Sequence, residues 1–254
     1  MYVVPPPGGR SPGGRGHDVP VAEEHQDHTE ALGLRRMTPA QQLRAGRLPR
    51  RLVQLFVGLT LFGLSMAMLI RAGLGMIPWD VLHFGLARHL PLSFGVIVIL
   101  LSVVVLLLWI PLREMPGLGT VANALWVGVA ADLSLALLPE LTRLPAQVGL
   151  MAGGIVLNAV ATGLYIGAQL GPGPRDGLMT GLPRVIPLSL RTIRTGIEVV
   201  VVLLGWLLGG VVGVGTVLFA ISIGPLTQFF LPHLVIRLPE GPGTPEDQPP
   251  QVAI

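Results

Sequence analysis

Four charged residues in the apolar part of this chain could do chemistry. Three are the carboxylates Asp80, Asp132 and Asp176, and the fourth is Arg71, which ends the first apolar run. A charge inside or beside a membrane span is costly to bury, so each predicts a contact with a ligand, a proton or a gate. Each also has a structural alternative. Asp80 and Asp176 could be helix caps, Arg71 could reach the membrane surface, and Asp132 could lie near enough to that surface to be solvated.

Asp80 and Asp176 occupy the same position in two copies of one motif. Residues 72–93 return at 168–189 with a constant offset of 96, and 12 of the 22 positions are identical. The match extends over 58–128 and 154–224, where 28 of 71 positions agree. Because shared Gly, Pro, Asp and Arg cannot result from hydropathy, we infer an internal duplication. The shared structural residues include Gly75, Pro78 and Gly85 in the first copy, and Gly171, Pro174 and Gly181 in the second.

Each motif predicts a short helix after a Gly/Pro break. Proline is excluded from a helix interior, and Asp is a favoured N-cap, so we expect the first helix to begin at Asp80. Running to Leu90, it would measure about 16 Å, too short to cross a membrane. It would lie at the interface or enter the membrane as a re-entrant half-helix. An Asp at this end favours a cationic or amine ligand, or a proton, over phosphate.

The composition is that of a membrane protein. Apolar residues make up 51% of the chain and charged residues 12%, and the mean hydropathy is +0.68. Long uncharged runs predict an all-α polytopic fold that contacts the lipid bilayer. The expected six transmembrane helices are approximately Leu52–Ile70, Phe94–Leu112, Leu118–Leu138, Val148–Leu170, Thr195–Leu208 and Val214–Leu231. The fifth and sixth are divided only by the repeat, at Gly209, Gly210 and Gly213.

The duplication predicts how the halves are oriented. A unit with three spans crosses the membrane an odd number of times, so its copy must cross in the opposite sense. The expected architecture is a 3+3 inverted repeat with a short interfacial or re-entrant helix after spans 1 and 4, as in secondary transporters. The units are residues 49–138 and 139–235. We expect disordered tails at 1–48, ending in a basic amphipathic segment, and at 236–254.

Arginine placement predicts the orientation, because cytoplasmic loops are enriched in basic residues. With a cytoplasmic N-terminus, only Arg71, Arg88 and Arg143 lie outside. The arginines placed inside are Arg35, Arg36, Arg44, Arg47, Arg50, Arg51, Arg113, Arg175, Arg184, Arg191, Arg194 and Arg237. We therefore expect a bacterial plasma (inner) membrane protein with both termini in the cytoplasm. Thr38 and Gln41 predict a capping box that starts a short helix before the first span.

No pattern supports an enzyme, and none predicts a cofactor, a metal or nucleic-acid binding. The chain lacks the nucleophile, zinc-protease, phosphate-loop and dinucleotide motifs, and the spacing of His83 and His89 does not suit chelation. The acidic and histidine residues at 23–28 could hold a metal weakly, but a solvated tail explains them. Cysteine is absent, which excludes disulfides.

The first motif also carries a family resemblance. Leu55 to Gly95 reads LxxxxxLFGLxxxxxxRAGLGxxPWDVLxxGLAxxxPLSxG, and the segment 117–124 reads GLGTVANA. Both are similar to the YczE/YyaS/YitT-type bacterial integral membrane proteins. The resemblance covers about 50–235 and implies a multi-pass plasma-membrane protein, with no assigned reaction or ligand.

Two functional hypotheses remain, and an intramembrane enzyme is a third. The first is a small-molecule transporter or exporter, and the second is a non-transporting accessory or scaffold protein that supports a partner complex. They differ in what the acidic residues do, because only a transporter needs them for flux. Small residues at Gly58, Ala67, Gly149 and Gly153 could support packing within the chain or a homo-oligomer.

Overall fold

The computed structural model describes residues 34, 37–186 and 188–239, and every regular element in these ranges is a helix. Most of the predicted tails, including residues 23–28, lies outside the described residues. The α-helices are α1 (Pro39–Arg44), α2 (Leu48–Ala72), α3 (Pro78–Ala87), α4 (Phe94–Leu112), α5 (Leu118–Leu137), α6 (Leu144–Gly167), α7 (Pro174–Gly181), α8 (Leu190–Leu207) and α9 (Val214–Leu234). A 3₁₀ turn at Leu182–Arg184 follows α7.

Five of the six expected spans are long and apolar enough to cross a membrane, namely α2, α4, α5, α6 and α9. The sixth candidate, α8, is not among them. It begins at Leu190, earlier than the predicted Thr195, because the hydroxyl of Ser189 accepts the backbone N–H of Thr192 and caps the helix. The earlier start brings Arg191 and Arg194 into the same helix as Glu198.

The two short helices exist, but their start differs from the prediction. α3 begins at Pro78 and α7 at Pro174, so each Asp is the third helical residue and not the N-cap. Proline suits the first helical position, where no backbone N–H is needed. An Asp within the first turn still interacts favourably with the positive end of the helix.

α2 and α6 form the centre of the molecule and run antiparallel. Near one end, Gly58 lies against Leu164, and near the other, Gly154 lies against Met68. Between these contacts the Asn158 amide donates to the Ser65 hydroxyl at 2.7 Å, and both side chains are buried. As the residue number rises along α2 it falls along α6, which gives the antiparallel direction.

Each repeat motif is bonded to the last helix of the other repeat. The N–H of Gly119 in α5 donates to the Leu170 carbonyl at 2.7 Å, and the N–H of Gly215 in α9 donates to the Leu74 carbonyl at 2.8 Å. The two bonds are related by the 96-residue offset. The ends of the two motifs are therefore held in equivalent ways by opposite halves of the chain.

The short helices also cross into the other half. α3 packs on α8, where a Cβ on Gly205 would lie 2.4 Å from the backbone of Val81. α7 packs on α4, where a Cβ on Gly177 would lie 2.1 Å from the Trp109 ring. The small residue belongs to the long helix at one crossing and to the short helix at the other. The Trp109 indole N–H also donates to the Pro174 carbonyl at 3.0 Å, which fixes the start of α7.

The outer helix pairs of the two repeats differ. α4 and α5 approach closely, because a Cβ on Gly128 would lie 2.3 Å from the Gly95 carbonyl oxygen. Their counterparts α8 and α9 have no comparable packing. Arg191 replaces Gly95 in the repeat, and Gly224, the counterpart of Gly128, faces open space.

Arg51 was counted from the sequence among the arginines on the cytoplasmic side, and the structure buries its side chain completely. Its guanidinium donates to the backbone carbonyls of Gln42, Ala168 and Gln169. Two of these follow α6, so Arg51 satisfies carbonyls at the helix end and ties α1 to it. The predicted capping box of α1 is confirmed, with Thr38 and Gln41 bonded to each other.

Candidate functional site

The N-terminal turns of α3 and α7 meet around a guanidinium. The Cζ atom of Arg175, the second residue of α7, lies 5.6 Å from the ring centroid of Trp79 in α3 and 5.7 Å from that of Phe62 in α2. These distances are those of cation–π contacts. Trp79 and Arg175 occupy equivalent repeat positions, so the two motifs contribute complementary side chains to one cluster.

Asp80 lies beside this guanidinium cluster and is fully buried. Its Oδ1 atom lies 3.1 Å from Nδ1 of His83, whereas its Oδ2 atom has no hydrogen-bond partner. The indole N–H of Trp79 is also buried without an acceptor. A buried polar atom without a partner costs about 1–3 kcal/mol, so two adjacent residues with such atoms suggest a place where a bound molecule completes the bonding.

His83 does not neutralise Asp80. Burial lowers the pKa of the His83 imidazole, the Asp80 carboxylate opposes this shift, and the charge of Arg175 adds to it. The lowered pKa favours the uncharged ring, whose Nδ1 atom faces Oδ1 of Asp80. The nearby cation is Arg175, whose charge acts on His83 across the junction of the two short helices.

The N–H groups of Arg175 are uncommitted within the described part of the chain. The guanidinium makes aromatic contacts but no ion pair or hydrogen bond there, and it is half-buried. Stacking covers the face of a guanidinium and leaves its edge available to a planar oxyanion. The arrangement therefore offers a fixed, partly desolvated donor edge.

Asp176 extends the site on the α7 side. Its Oδ2 atom accepts the Tyr165 hydroxyl of α6, and Tyr165 packs edge-on against Phe62 with 6.1 Å between ring centroids. The carboxylate of Asp176 is half-buried. Asp80 and Asp176 thus lie on two sides of one aromatic and cationic cluster.

Asp132 has a different environment from the other two acids. One carboxylate oxygen accepts the Ser93 hydroxyl at 2.5 Å, and the other accepts the Gly95 N–H at 2.7 Å. Both bonds are at the start of α4, where the helix dipole favours a negative charge. This geometry joins α5 to α4 and gives Asp132 a structural task.

Arg71 is also committed to structural contacts. Its guanidinium pairs with Glu140 at 2.8 Å and donates to the Leu135 carbonyl at 2.7 Å. Glu140 is largely exposed, so the pair is worth little by itself. The contact holds the end of α2 against the end of α5, away from the guanidinium cluster.

Gly75 and Gly171 shape the approach to the two short helices. Their φ angles are +129° and +117°, which L side chains rarely adopt. A Cβ on Gly75 would lie 2.6 Å from the Thr216 nitrogen, and one on Gly171 would lie 2.8 Å from the Thr120 hydroxyl. Gly85 is similarly tight, since its Cβ would lie 2.6 Å from the Gly205 carbonyl oxygen, whereas Gly181 meets only Glu114 and Leu112 side chains.

Sequence reasoning did not identify Arg175, Trp79, Phe62 or Tyr165 as site residues. Arg175 was only counted among the arginines on the cytoplasmic side, as the orientation of the chain required. The available signal was the repeat alignment, which matches Arg175 with Trp79 at the same motif position. A cation and an aromatic ring at equivalent positions can contact each other if the two motifs meet.

The fold and the cluster define a class, a multi-pass helical membrane protein with a buried charged centre. The chain belongs to the family of unknown function DUF6198, whose model matches residues 49–232. The match covers all the helices that carry the cluster.

Curated relatives agree with this assignment. The chain is 40% identical over 188 residues to an uncharacterized protein of Haemophilus influenzae. This match covers 74% of the chain and 86% of the relative. It is 30% identical over 182 residues to the uncharacterized membrane protein YczE of Bacillus subtilis, and this match covers 71% of the chain and 85% of YczE. It is 29% identical over 183 residues to the uncharacterized protein YyaS of the same organism, and this match covers 69% of the chain and 90% of YyaS. The YczE/YyaS resemblance is therefore confirmed. No solved structure matches the chain.

Proposed function

We propose that this protein is a small-molecule transporter built as a 3+3 inverted repeat, with its site where the short helices α3 and α7 meet. The observation that carries the proposal is Arg175 stacked on Trp79 and Phe62 beside the fully buried Asp80. Charges placed inside a membrane bundle are expensive and mark substrate or ion pathways.

The packing of α2 and α6 supports the inverted arrangement. These helices occupy equivalent repeat positions and run antiparallel, as two copies of opposite orientation must. The reciprocal bonds from Gly119 and Gly215 extend the same relation to the third helix of each repeat. In this arrangement α8 is the sixth crossing, and its charged residues Arg194 and Glu198 face a polar path instead of lipid.

The position of the cluster along α2 supports a central site. Phe62 stands 14 residues after the start of α2 and 10 before its end. At about 1.5 Å per residue, this is close to the middle of the bilayer. α3 and α7 would then be re-entrant half-helices whose N-termini converge on the substrate, which is the geometry of broken-helix transporters.

The difference between the two outer pairs supports access from one side. α4 and α5 are packed closely against each other, whereas α8 and α9 have no comparable packing. With both termini in the cytoplasm of a bacterial inner membrane, the open side would be the cytoplasmic one. Closing this gap and opening the other would complete a transport cycle. Self-association stays a prediction.

The orientation of the halves is tested by labelling with thiol reagents, since the natural chain has no cysteine. Leu90 and Ile186 are exposed and related by the repeat offset. We expect a membrane-impermeant reagent to modify Leu90→Cys only from the outside of intact cells, and Ile186→Cys only in inside-out vesicles. Labelling of both from the same face would contradict the inverted repeat.

Transport itself is tested in proteoliposomes with radiolabelled glycine, 4-aminobutyrate and methylammonium as probes. We expect uptake of at least one probe above that of empty vesicles, and a loss of at least about tenfold in Asp80→Asn, Asp176→Asn and Arg175→Gln. Arg191→Gln is the matched control, because this arginine is exposed on α8. Wild-type vesicles that take up none of the probes, or variants as active as the wild type, would contradict the proposal.

A further inference from the structure

We propose that the site binds a zwitterion, with a carboxylate on Arg175 and an ammonium group on Asp80. This inference rests on the proposed function for its location but concerns binding alone. It starts from two groups of opposite charge that make no ion pair with each other: the half-buried guanidinium of Arg175 and the buried Oδ2 atom of Asp80, whose sequence neighbour Trp79 contacts that guanidinium.

The Arg175 half of the site suits a carboxylate. Phe62 and Trp79 hold the guanidinium by aromatic contact and leave its N–H edge free for two parallel bonds to a planar oxyanion. The orphaned indole N–H of Trp79 is a second donor within the same cluster. The N-termini of α3 and α7 add positive potential from their backbone N–H groups.

The Asp80 half suits an ammonium group. Its Oδ2 atom is an acceptor with no partner, and the neutral His83 occupies only Oδ1. A buried carboxylate needs compensation by a cation or strong donors. Arg175 does not supply it through a hydrogen bond, because the two side chains form no ion pair.

Ligands with a single charge satisfy only half of the site. An amine would pair with Asp80 but be repelled by the neighbouring Arg175. A simple carboxylate or phosphate would pair with Arg175 but face both Asp80 and Asp176. A molecule with both charges pairs with Arg175 and Asp80 at once. The cationic or amine ligand expected from the sequence is thus narrowed to a zwitterion.

Binding is measured by titration calorimetry on the full-length protein in detergent. The probes are glycine and 4-aminobutyrate as zwitterions, butylamine as the amine and butyrate as the carboxylate. We expect at least one zwitterion to bind with a Kd below about 10 mM, and at least about tenfold more tightly than butylamine or butyrate.

Variants assign the two ends of the ligand. Arg175→Gln and Asp80→Asn should each weaken zwitterion binding at least about tenfold, and Arg175→Lys should weaken it because the fork of donors is lost. Arg191→Gln should bind normally. Thermal unfolding of each variant in the same detergent shows whether it is folded, and Asp80→Asn should be at least as stable as the wild type because it removes a buried uncompensated charge.

The outcomes separate this inference from transport. No zwitterion binding up to about 10 mM, equal binding of butylamine, or wild-type affinity in folded Arg175→Gln would overturn the zwitterion site. Uptake of methylammonium without zwitterion binding leaves transport standing and removes this inference. Zwitterion binding without flux supports the site and removes transport.

Discussion

The α4/α5 pair and the α8/α9 pair come from equivalent parts of the duplicated sequence but pack differently. In the first pair, Gly95 and Gly128 let the backbones touch, and Asp132 bonds the start of α4. In the second pair, the equivalent positions are Arg191, Gly224 and Gln228, and the helices stand apart. Two substitutions between copies, Gly95 by Arg191 and Asp132 by Gln228, thus accompany the change from closely packed to separated helices, and a shared motif does not ensure shared packing.

The largest expected effect comes from one substitution made at both equivalent glycines. Gly128→Ala should lose about 2 kcal/mol of unfolding free energy, because its Cβ would lie 2.3 Å from the Gly95 carbonyl oxygen. Gly224→Ala should be neutral or gain up to about 1 kcal/mol, because its position is open and Ala favours helix. Denaturant unfolding in one detergent compares the two. Equal effects would mean that the pairs pack alike.

Removing the charge of Asp132, which joins α5 to α4, should lower the unfolding free energy by a smaller amount. Asp132→Asn weakens the bonds from Ser93 and Gly95 and removes a charge at the start of α4, which we expect to cost about 1–2 kcal/mol. Gln228→Asn is the control at the equivalent exposed position. If Asp132→Asn abolishes probe uptake while its unfolding free energy is unchanged, Asp132 belongs to the transport site and not to the seal.

The smallest effect concerns the ion pair on the open side. Arg194 and Glu198 are one helical turn apart on α8, 3.0 Å from N to O and partly exposed. Arg194→Gln should cost no more than about 0.5 kcal/mol. A much larger loss would show that Arg194 is buried against α9 in solution, and that the second pair is closed there. The spacing of four residues on one helix predicts such a pair from the sequence alone, and the structure contains it.

Local chemistry predicted much of the fold. The lengths of the apolar runs predicted five of the spans, and the capping box of Thr38 predicted α1. The glycines at 209–213 predicted the turn between α8 and α9. These features depend on residues that are neighbours in sequence. The start of α3 was misplaced because proline was read as a boundary, although it fits the first helical position.

The candidate site was predicted only in part. Asp80 and Asp176 were identified because the repeat places them at equivalent positions. Arg175 was not, because its partners Phe62 and Trp79 come from α2 and α3 and no sequence spacing reports that contact. The burial of Arg51 was not predicted for the same reason, since two of its three acceptors, the carbonyls of Ala168 and Gln169, are distant in sequence.

The α3/α8 and α4/α7 crossings place their small residue on opposite partners, Gly205 on the long helix and Gly177 on the short one, and this has a consequence for the origin of the repeat. Two identical first halves would bring the Trp109 ring against Val81, at a crossing where even the Cβ of an alanine in place of Gly177 would collide. Two identical second halves would set Gly177 against Gly205 and leave a hollow between the helices. Neither half of the present chain can therefore self-assemble into a symmetric pair. The duplication inferred from the sequence therefore predicts that a single-unit ancestor had medium-sized residues at both crossings.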